Sequence, residues 1–542
     1  MKIKEFLIIV LLVIPATLAL LKPGFFGASD DMHIAWLQQM DQAIKSGQVP
    51  PRYVADLSFG FGYPLFNFIF PLPYYLGELF HLTGLSFVYS VKAVFLISLL
   101  GSALAMYILV KHLSGKLVGM AAAALYVYSP YRSTDIYVRG AFGEALAFVF
   151  LPLIVFFIIK ISESKTKNEN WKWIGLGSLS VAGLILTHNI VSYMFIPVVF
   201  LLGAVLLRKK LKMLLSFFVF GLLGSIYFWL PALIESNLMK YETVFNFFDH
   251  FPTIRQLITP FWGYGASVPG PYDGMSFFIG EVNLVIIGIA LIFILFKFSK
   301  LTNILKKIVI WSLVLIFSSV VMMNFRSTWL WERIPLIAYF QFPWRFLTLI
   351  TFSSSLLVVV ISKIKYSKVL AVLIIILSLA INYNRFRPHD FLARDDSYFI
   401  NRYIPVPAPS SEYMTLEEEY LRLPKATMVR PKQVYPRVYP IDGIKNLNLE
   451  NSLDAKFVTE NNKSTIFNYN KYFFPGWQGI IDGKKITLSA GEPYGQIEFT
   501  VPKGKHDIVI QYRETTTKRI LDYLSLMTIV GCVFVGIRKK VV

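Results

Sequence analysis

The chain has 542 residues, 55% of them hydrophobic and 16% charged, against about 25% charged in a typical soluble domain. It carries 53 Lys+Arg against 33 Asp+Glu, a formal +20, and a single cysteine, Cys532, inside an apolar stretch. These values exclude a soluble enzyme, a disulfide scaffold, a cysteine-based metal site and a disordered chain. A nucleic-acid partner is excluded as well, because its basic residues would line a solvated face rather than separate long apolar runs. What remains is a polytopic membrane protein.

A bilayer core takes about 20 apolar residues in a helix. Apolar runs stand near 5–21, 87–110, 117–131, 141–159, 173–187, 190–207, 213–234, 278–296, 308–324, 346–361, 368–382 and 520–537. That predicts about twelve membrane helices. The stretch 173–207 is too long for one tilted helix and reads as a hairpin split at Thr187, His188 and Asn189. Every second gap is short and basic: Lys2 and Lys4, Lys111 and Lys116, Lys160 to Lys172, Arg208 to Lys212, Lys297 to Lys307, Lys363 to Lys368, and Arg538 to Lys540. The positive-inside rule places these gaps and both termini in the cytoplasm, so the excess positive charge is a topology signal. The first run is expected to stay as a span rather than be cleaved, since no clear small-x-small site follows it and Pro23 interrupts.

The other gaps are long, aromatic and rich in Pro and Gly. The first, 22–86, opens with Gly27-Ala28-Ser29-Asp30-Asp31-Met32-His33. Trp36, Leu37, Met40 and Ile44 then recur at helical spacing, which predicts an amphipathic helix on the membrane surface. The stretch from Phe59 to Tyr75, broken by three prolines, reads as interfacial or re-entrant. The second external loop, 235–277, holds further Pro, Gly and aromatic residues that suit the floor of a cavity. The segment 383–518 is long enough to be a domain, followed by a last span and basic tail over 519–542. Asp482-Gly483 between two apolar strands predicts a hairpin. The runs 497–501 and 508–512 about Lys503-Gly504-Lys505 predict a second. The expected architecture is an α-helical polytopic membrane domain over 1–382 with an extracytoplasmic, β-rich, sandwich-like domain near the C-terminus. No repeat, Walker loop or metalloprotease helix is present.

Chemistry concentrates at the outer ends of the spans. Asp30 and Asp31 follow the first span and read two ways: as caps of the next helix, or as a carboxylate that takes a proton from an acceptor hydroxyl. Arg132, Asp135, Arg139 and Glu144 lie at the outer tip of the third and fourth spans, where Arg suits a phosphate and equally suits an internal ion pair. His188 at the hairpin tip is a turn residue or a base. His33 stands close enough to the Asp pair to share its site. Glu281 opens the eighth span, and Trp344-Arg345 precedes the tenth as an interfacial anchor or a phosphate clamp. Spacing supports no metal site.

Asp30-Asp31, Ser129-Pro130-Tyr131, the run Tyr137 to Glu144, Phe342-Pro343-Trp344-Arg345-Phe346, and Tyr472 to Trp477 followed by Asp482-Gly483 occur in order along most of the chain. This set resembles the GT-C superfamily of polytopic membrane glycosyltransferases. Within it, the chain is similar to bacterial YfhO-type proteins and to membrane proteins described by a 6-pyruvoyl-tetrahydropterin synthase-related domain. The resemblance implies an inverting transfer from a polyprenyl-phosphate-linked sugar to an envelope glycan or glycolipid on the outer face of the plasma membrane. Asp30 and Asp31 are its acidic pair. Arg139 and Arg345 follow from chemistry as phosphate contacts, with His33, Arg132, Glu144, His188 and Glu281 around them. No cofactor is expected, and a divalent metal lacks support. The competing expectations are a transporter or flippase of lipid-linked sugars, which would want ionisable groups near mid-membrane, and a non-catalytic glycan-binding scaffold.

Overall fold

A computed structural model describes residues 2–240, 246–416, 423–449 and 453–537. The basic tail Arg538-Lys539-Lys540 lies outside the described residues. Every expected apolar run is helical. Among the described residues nine helices are long and apolar enough to cross a membrane: Ile3–Leu21, Phe87–Ser114, Phe142–Glu163, Asn189–Leu206, Glu281–Lys300, Asn303–Met322, Pro343–Lys363, Ser367–Arg385 and Thr516–Ile537. This is a multi-pass membrane protein.

Three expected spans depart from that pattern. The run 117–131 gives a helix of only 12 residues, Lys116–Val127, because Ser129-Pro130 starts a new turn. Lys167–Thr187 spends its first turns on Lys167, Asn168, Glu169, Asn170 and Lys172 and carries Gly and Ser further on. The run 213–234 is two helices, Leu211–Gly224 and Ile226–Leu238, bent by 70°. At that bend Ser225 donates its hydroxyl back to the Gly221 carbonyl at 3.0 Å, a local cause of kinking. The hairpin split falls at His188, which caps Asn189–Leu206 by accepting from the Val191 N–H at 3.1 Å.

The short basic gaps meet at one end of the bundle. Glu5 bridges Lys111 at 2.6 Å and Lys116 at 2.9 Å, and Glu163 holds His112 at 2.7 Å. Buried tyrosines stitch the helices: Tyr128 donates to the Leu12 carbonyl, Tyr137 to Ala16 and Tyr126 to Phe148.

The C-terminal strands are β1 (Val438–Tyr439), β2 (Ile444–Asn448), β3 (Ala455–Asn461), β4 (Thr465–Tyr472), β5 (Trp477–Ile481), β6 (Lys484–Ile486), β7 (Ser489–Gly491), β8 (Gln496–Val501) and β9 (Gly504–Tyr512). They form two antiparallel sheets, β1-β4-β8-β7 and β2-β3-β9-β5-β6. Phe457, Phe467, Phe499, Ile508 and Ile510 are buried in this unit. The first hairpin is as expected: Ile481 pairs Lys484 across Asp482 and Gly483, both at positive φ. The second is not a hairpin. β8 is flanked by β4 and β7, and β9 by β3 and β5, so neither has a free edge for the other. Pro502-Lys503 therefore carries the chain from one sheet to the other.

This unit sits on the loop that follows the first span. Arg52 donates to Glu514 at 3.0 Å and to Asp522 at 2.7 Å. Ser58 meets the Tyr472 hydroxyl at 2.7 Å. Lys471, fully buried, donates to the carbonyls of Ala55 at 2.8 Å and Gly60 at 2.7 Å. The helix His33–Lys45 is consequently not a one-faced surface helix: Ile34, Trp36, Leu37 and Met40 are buried, and so are Gln39 and Asp41.

Burial brings the Lys471 ammonium down to about 7. The unfolded chain holds that proton up to about 10.4, so it binds more protons than the folded protein between those values. Stability contributed at this position therefore rises with pH from about 7 to 10 and is lower below that window. In thermal unfolding in detergent, wild type should gain on Lys471→Met as pH rises from 7 to 10. A gap between the two that is flat with pH would overturn this.

Candidate active site

The chain leaves the first span and runs beside the residues that precede the fourth. Ser29 donates its N–H to Val138 at 3.1 Å and Asp30 donates to Arg139 at 2.7 Å. Thr134–Arg139 is a single turn of π-helix, closed by Gly140 at φ +72°. A Cβ on Gly140 would come 3.0 Å from the Ala28 Cβ, so both the dihedral and the close approach call for glycine. This contact brings the Asp pair and Arg139 together.

Glu144, in the first turn of Phe142–Glu163, is the hub. It accepts from Arg139 at 2.7 Å, from the Tyr131 hydroxyl at 2.7 Å and from Thr348 at 2.5 Å. Arg139 also donates to Asp135 at 3.0 Å and lies 4.7 Å over the Trp344 ring. Both internal ion pairs that the sequence allows for Arg139 are formed. Phe277 and Phe342 stack on Trp344 with ring centres 5.7 and 5.0 Å away, so the second external loop does reach the cluster.

Arg345 stands on the same helix as Thr348. One of its terminal nitrogens donates to the Phe340 carbonyl at 2.5 Å, and its buried Nε–H has no acceptor among the described residues. The cluster lies close enough for Arg139 and Arg345 to act on the Asp30 carboxyl.

The two aspartates differ. Neither caps a helix: His33–Lys45 begins at Met32 with no side-chain cap, so the capping expectation is not met. Asp31 accepts a short hydrogen bond from the Tyr403 hydroxyl, at the end of the helix Asp396–Tyr403. Asp30 is half-buried, and its carboxylate makes no hydrogen bond or ion pair among the described residues. Burial holds the Asp30 carboxyl above its usual range; Arg139 and Arg345 pull it down and Glu144 pushes it further up.

His33 and His188 are both near. The His33 ring meets the Tyr74 hydroxyl at 2.6 Å, and His188 stacks on Phe70, which places the first external loop at the cluster. Burial takes each imidazole down to about 3, so both are neutral. With Nδ1 accepting from Val191, His188 carries its proton on Nε2.

One expected residue is not gathered: Glu281 is tied to Arg385 at 2.8 Å. Arg132 supports the cluster from behind. It is fully buried, stands 3.9 Å from Asp135, and donates to the Ala145 carbonyl at 3.2 Å and to Ser102 at 3.3 Å, with Phe148 4.0 Å below its plane. Tyr403, Thr348 and Tyr74 join the site without being singled out in the sequence. Thr348 alone carried a signal, lying three residues after Arg345 on one helix face.

No family model matches the sequence. A Lactococcus lactis protein described only as uncharacterized is 28% identical over 214 residues, which is 38% of this chain and 34% of that protein. Among solved structures, the arabinofuranosyltransferase AftD from Mycobacteria superposes with a TM-score of 0.46 at 14% identity, over 72% of this chain and 27% of AftD. ArnT from Cupriavidus metallidurans bound to undecaprenyl phosphate gives 0.40 at 13% identity, over 66% of this chain and 59% of ArnT. The chain thus spans about a third of the Lactococcus protein and about a quarter of AftD. Superposition at this level leaves the fold to be described by the chain's own helices and sheets.

Removing one partner of a buried charge pair costs about 3–5 kcal/mol, whereas a more exposed pair is worth about 1 kcal/mol or less. Glu144→Ala should therefore lower the unfolding temperature in detergent far more than Glu281→Ala. Equal shifts would mean that Glu144 is not the hub.

Proposed function

We propose that the protein is a membrane glycosyltransferase that moves a sugar from a polyprenyl-phosphate-linked donor to an envelope glycan or glycolipid at the outer face. The observation that carries this is a carboxylate, Asp30, and a guanidinium within its electrostatic reach, Arg345: among the described residues the carboxylate makes no hydrogen bond and the buried Nε–H of Arg345 has no acceptor. A base and an anion-holding group are the two parts such a transfer needs. The ordered motifs that resemble GT-C enzymes support the same reaction.

In this mechanism Asp30 takes the proton of the acceptor hydroxyl. The oxygen forms a bond to the anomeric carbon from the face opposite the phosphate, and the bond from that carbon to the phosphate oxygen breaks with inversion. The polyprenyl phosphate leaves with the electron pair and one more negative charge, which Arg345 meets. Arg139 is already neutralised by Asp135 and Glu144, so it holds the loop of Asp30 and shapes the field rather than clamping phosphate. Asp31, held by Tyr403, is a positioning residue that sets where Asp30 stands. The basic gaps lie in the cytoplasm in this arrangement, and the β-sandwich lies outside.

General-base removal costs about a hundred- to ten-thousand-fold. Asp30→Asn, at normal membrane levels, should abolish the envelope glycan while lipid-linked donor persists or accumulates. Tyr403→Phe should cost less, up to about a hundredfold, as misplacement does. Because the Asp30 carboxyl is raised, activity should fail on the acid side at a pH above that of an exposed carboxylate, about 4. Unchanged glycans in Asp30→Asn would sink the assignment. Loss of the glycan with donor trapped on the inner leaflet would favour a flippase.

A further inference from the structure

A second polar site lies at the other end of the helix His33–Lys45. Gln42, Lys45 and Ser46 from that helix end, Asp56 from the loop after it, and Val406, Val434 and Arg437 from the C-terminal region line an open groove of about 680 Å³. Ligand pockets commonly span about 300–1,000 Å³.

The cleft is built rather than incidental. Gln39 Nε2 donates to Asp56 Oδ2 at 3.3 Å and to Gln42 Oε1 at 3.4 Å, and Gln39 Oε1 accepts from the Asp56 N–H at 3.2 Å. That exchange fixes Asp56, which is more than nine-tenths buried, and leaves its Oδ1 without a hydrogen bond among the described residues. Beside it Lys471 locks the backbone of Ala55 and Gly60. One wall therefore comes from the membrane part of the chain and the other from the C-terminal region.

We propose that this cleft binds a neutral glycan chain, the growing end of which is the acceptor at Asp30. The lining offers a carboxylate, an amide and a hydroxyl within one groove, with Lys45 already paired to Asp41 at 2.7 Å, together with the apolar side chains of Val406 and Val434. Sugar hydroxyls both donate and accept, so they suit that mixture, whereas a phosphate polymer would meet the Asp56 carboxylate. Gln42 lies nine residues beyond His33, about 14 Å along the helix. A single sugar cannot reach from the cleft to Asp30, so the acceptor class is an oligosaccharide. This inference rests on the transfer reading above.

The test uses full-length protein in nanodiscs and neutral polysaccharide from the source organism's envelope, cut to monosaccharides and to chains of several sugars. Chains should bind and monosaccharides should not. Asp56→Asn and Val434→Trp, the latter filling the groove without touching the Gln39–Asp56 exchange, should each weaken chain binding about tenfold or more and shorten the envelope glycan in cells. Asp30→Asn should still prefer chains over monosaccharides, because the groove residues that hold the chain are intact. Unaltered binding in both cleft variants, or preference for an anionic phosphate polymer, overturns the proposal. If the cleft variants lose binding but Asp30→Asn leaves the glycan intact, the transfer fails and the glycan site stands. If Asp30→Asn loses the glycan and the cleft variants bind normally, the cleft alone fails.

Discussion

The end of this bundle that carries Asp30 depends on one buried charge. Arg139 has little water around it, and taking a guanidinium out of water is tolerable only if carboxylates replace the lost hydration. Glu144 and Asp135 do so, at 2.7 and 3.0 Å. Meeting that requirement organises the surroundings. Glu144 draws in Tyr131 and Thr348, which join the segment after Lys116–Val127 and the helix Pro343–Lys363 to the start of Phe142–Glu163. The backbone carbonyl of the same arginine receives the Asp30 N–H. A single ion-paired residue thereby sets the positions of the Asp30 loop and of the helix that carries Arg345.

That arrangement separates two aspartates that are adjacent in sequence. Successive residues in a turn point different ways, and here one carboxylate faces the arginine cluster while the other faces Tyr403. The C-terminal region is therefore part of the site's support. Arg394 accepts the Phe25 N–H at its carbonyl, and Asp396 receives the first two N–H groups of Phe87–Ser114 at 2.9 and 2.8 Å. The strap around residues 390–403 pins both the Asp30 loop and the head of the long helix it packs against.

The spans were legible because bilayer physics writes them as long apolar runs, and the Asp482-Gly483 turn because two positive φ angles restrict the residues that fit. The candidate cluster was partly legible: Asp30, Arg139, Glu144 and Arg345 share the outer ends of apolar runs, and the structure brings them together. What failed did so for non-local reasons. The runs 497–501 and 508–512 look like a hairpin locally, but each finds both its neighbours elsewhere in the fold. Residues 33–45 show a one-sided pattern, yet Asp396–Tyr403, from hundreds of residues away, and Asp56 of the following loop cover the polar side. For the same reason no local feature marks Tyr403 as the partner of Asp31, and Arg132 and Arg139, seven residues apart, look alike until the fold turns one toward Ser102, the Ala145 carbonyl and the Phe148 ring and the other toward Glu144 and Trp344.

The net charge of +20 does not hold a phosphate here, because the basic gaps meet at the opposite end of the helices from Asp30. Counted formally, Arg132, Arg139 and Arg345 face Asp30, Asp135 and Glu144, so the cluster is neutral before any donor arrives. A phosphodiester donor adds one more negative charge, which raises the affinity of Asp30 for a proton. In the proposed transfer that is useful. As the acceptor proton reaches Asp30, negative charge leaves the carboxylate and appears on the departing phosphate, next to the open N–H of Arg345. Total charge in the site is unchanged, so the step needs only a redistribution between groups already in place, and little solvent reorganisation. A basic pocket would bind the donor more tightly, but it would also stabilise the ionised carboxylate and weaken the base.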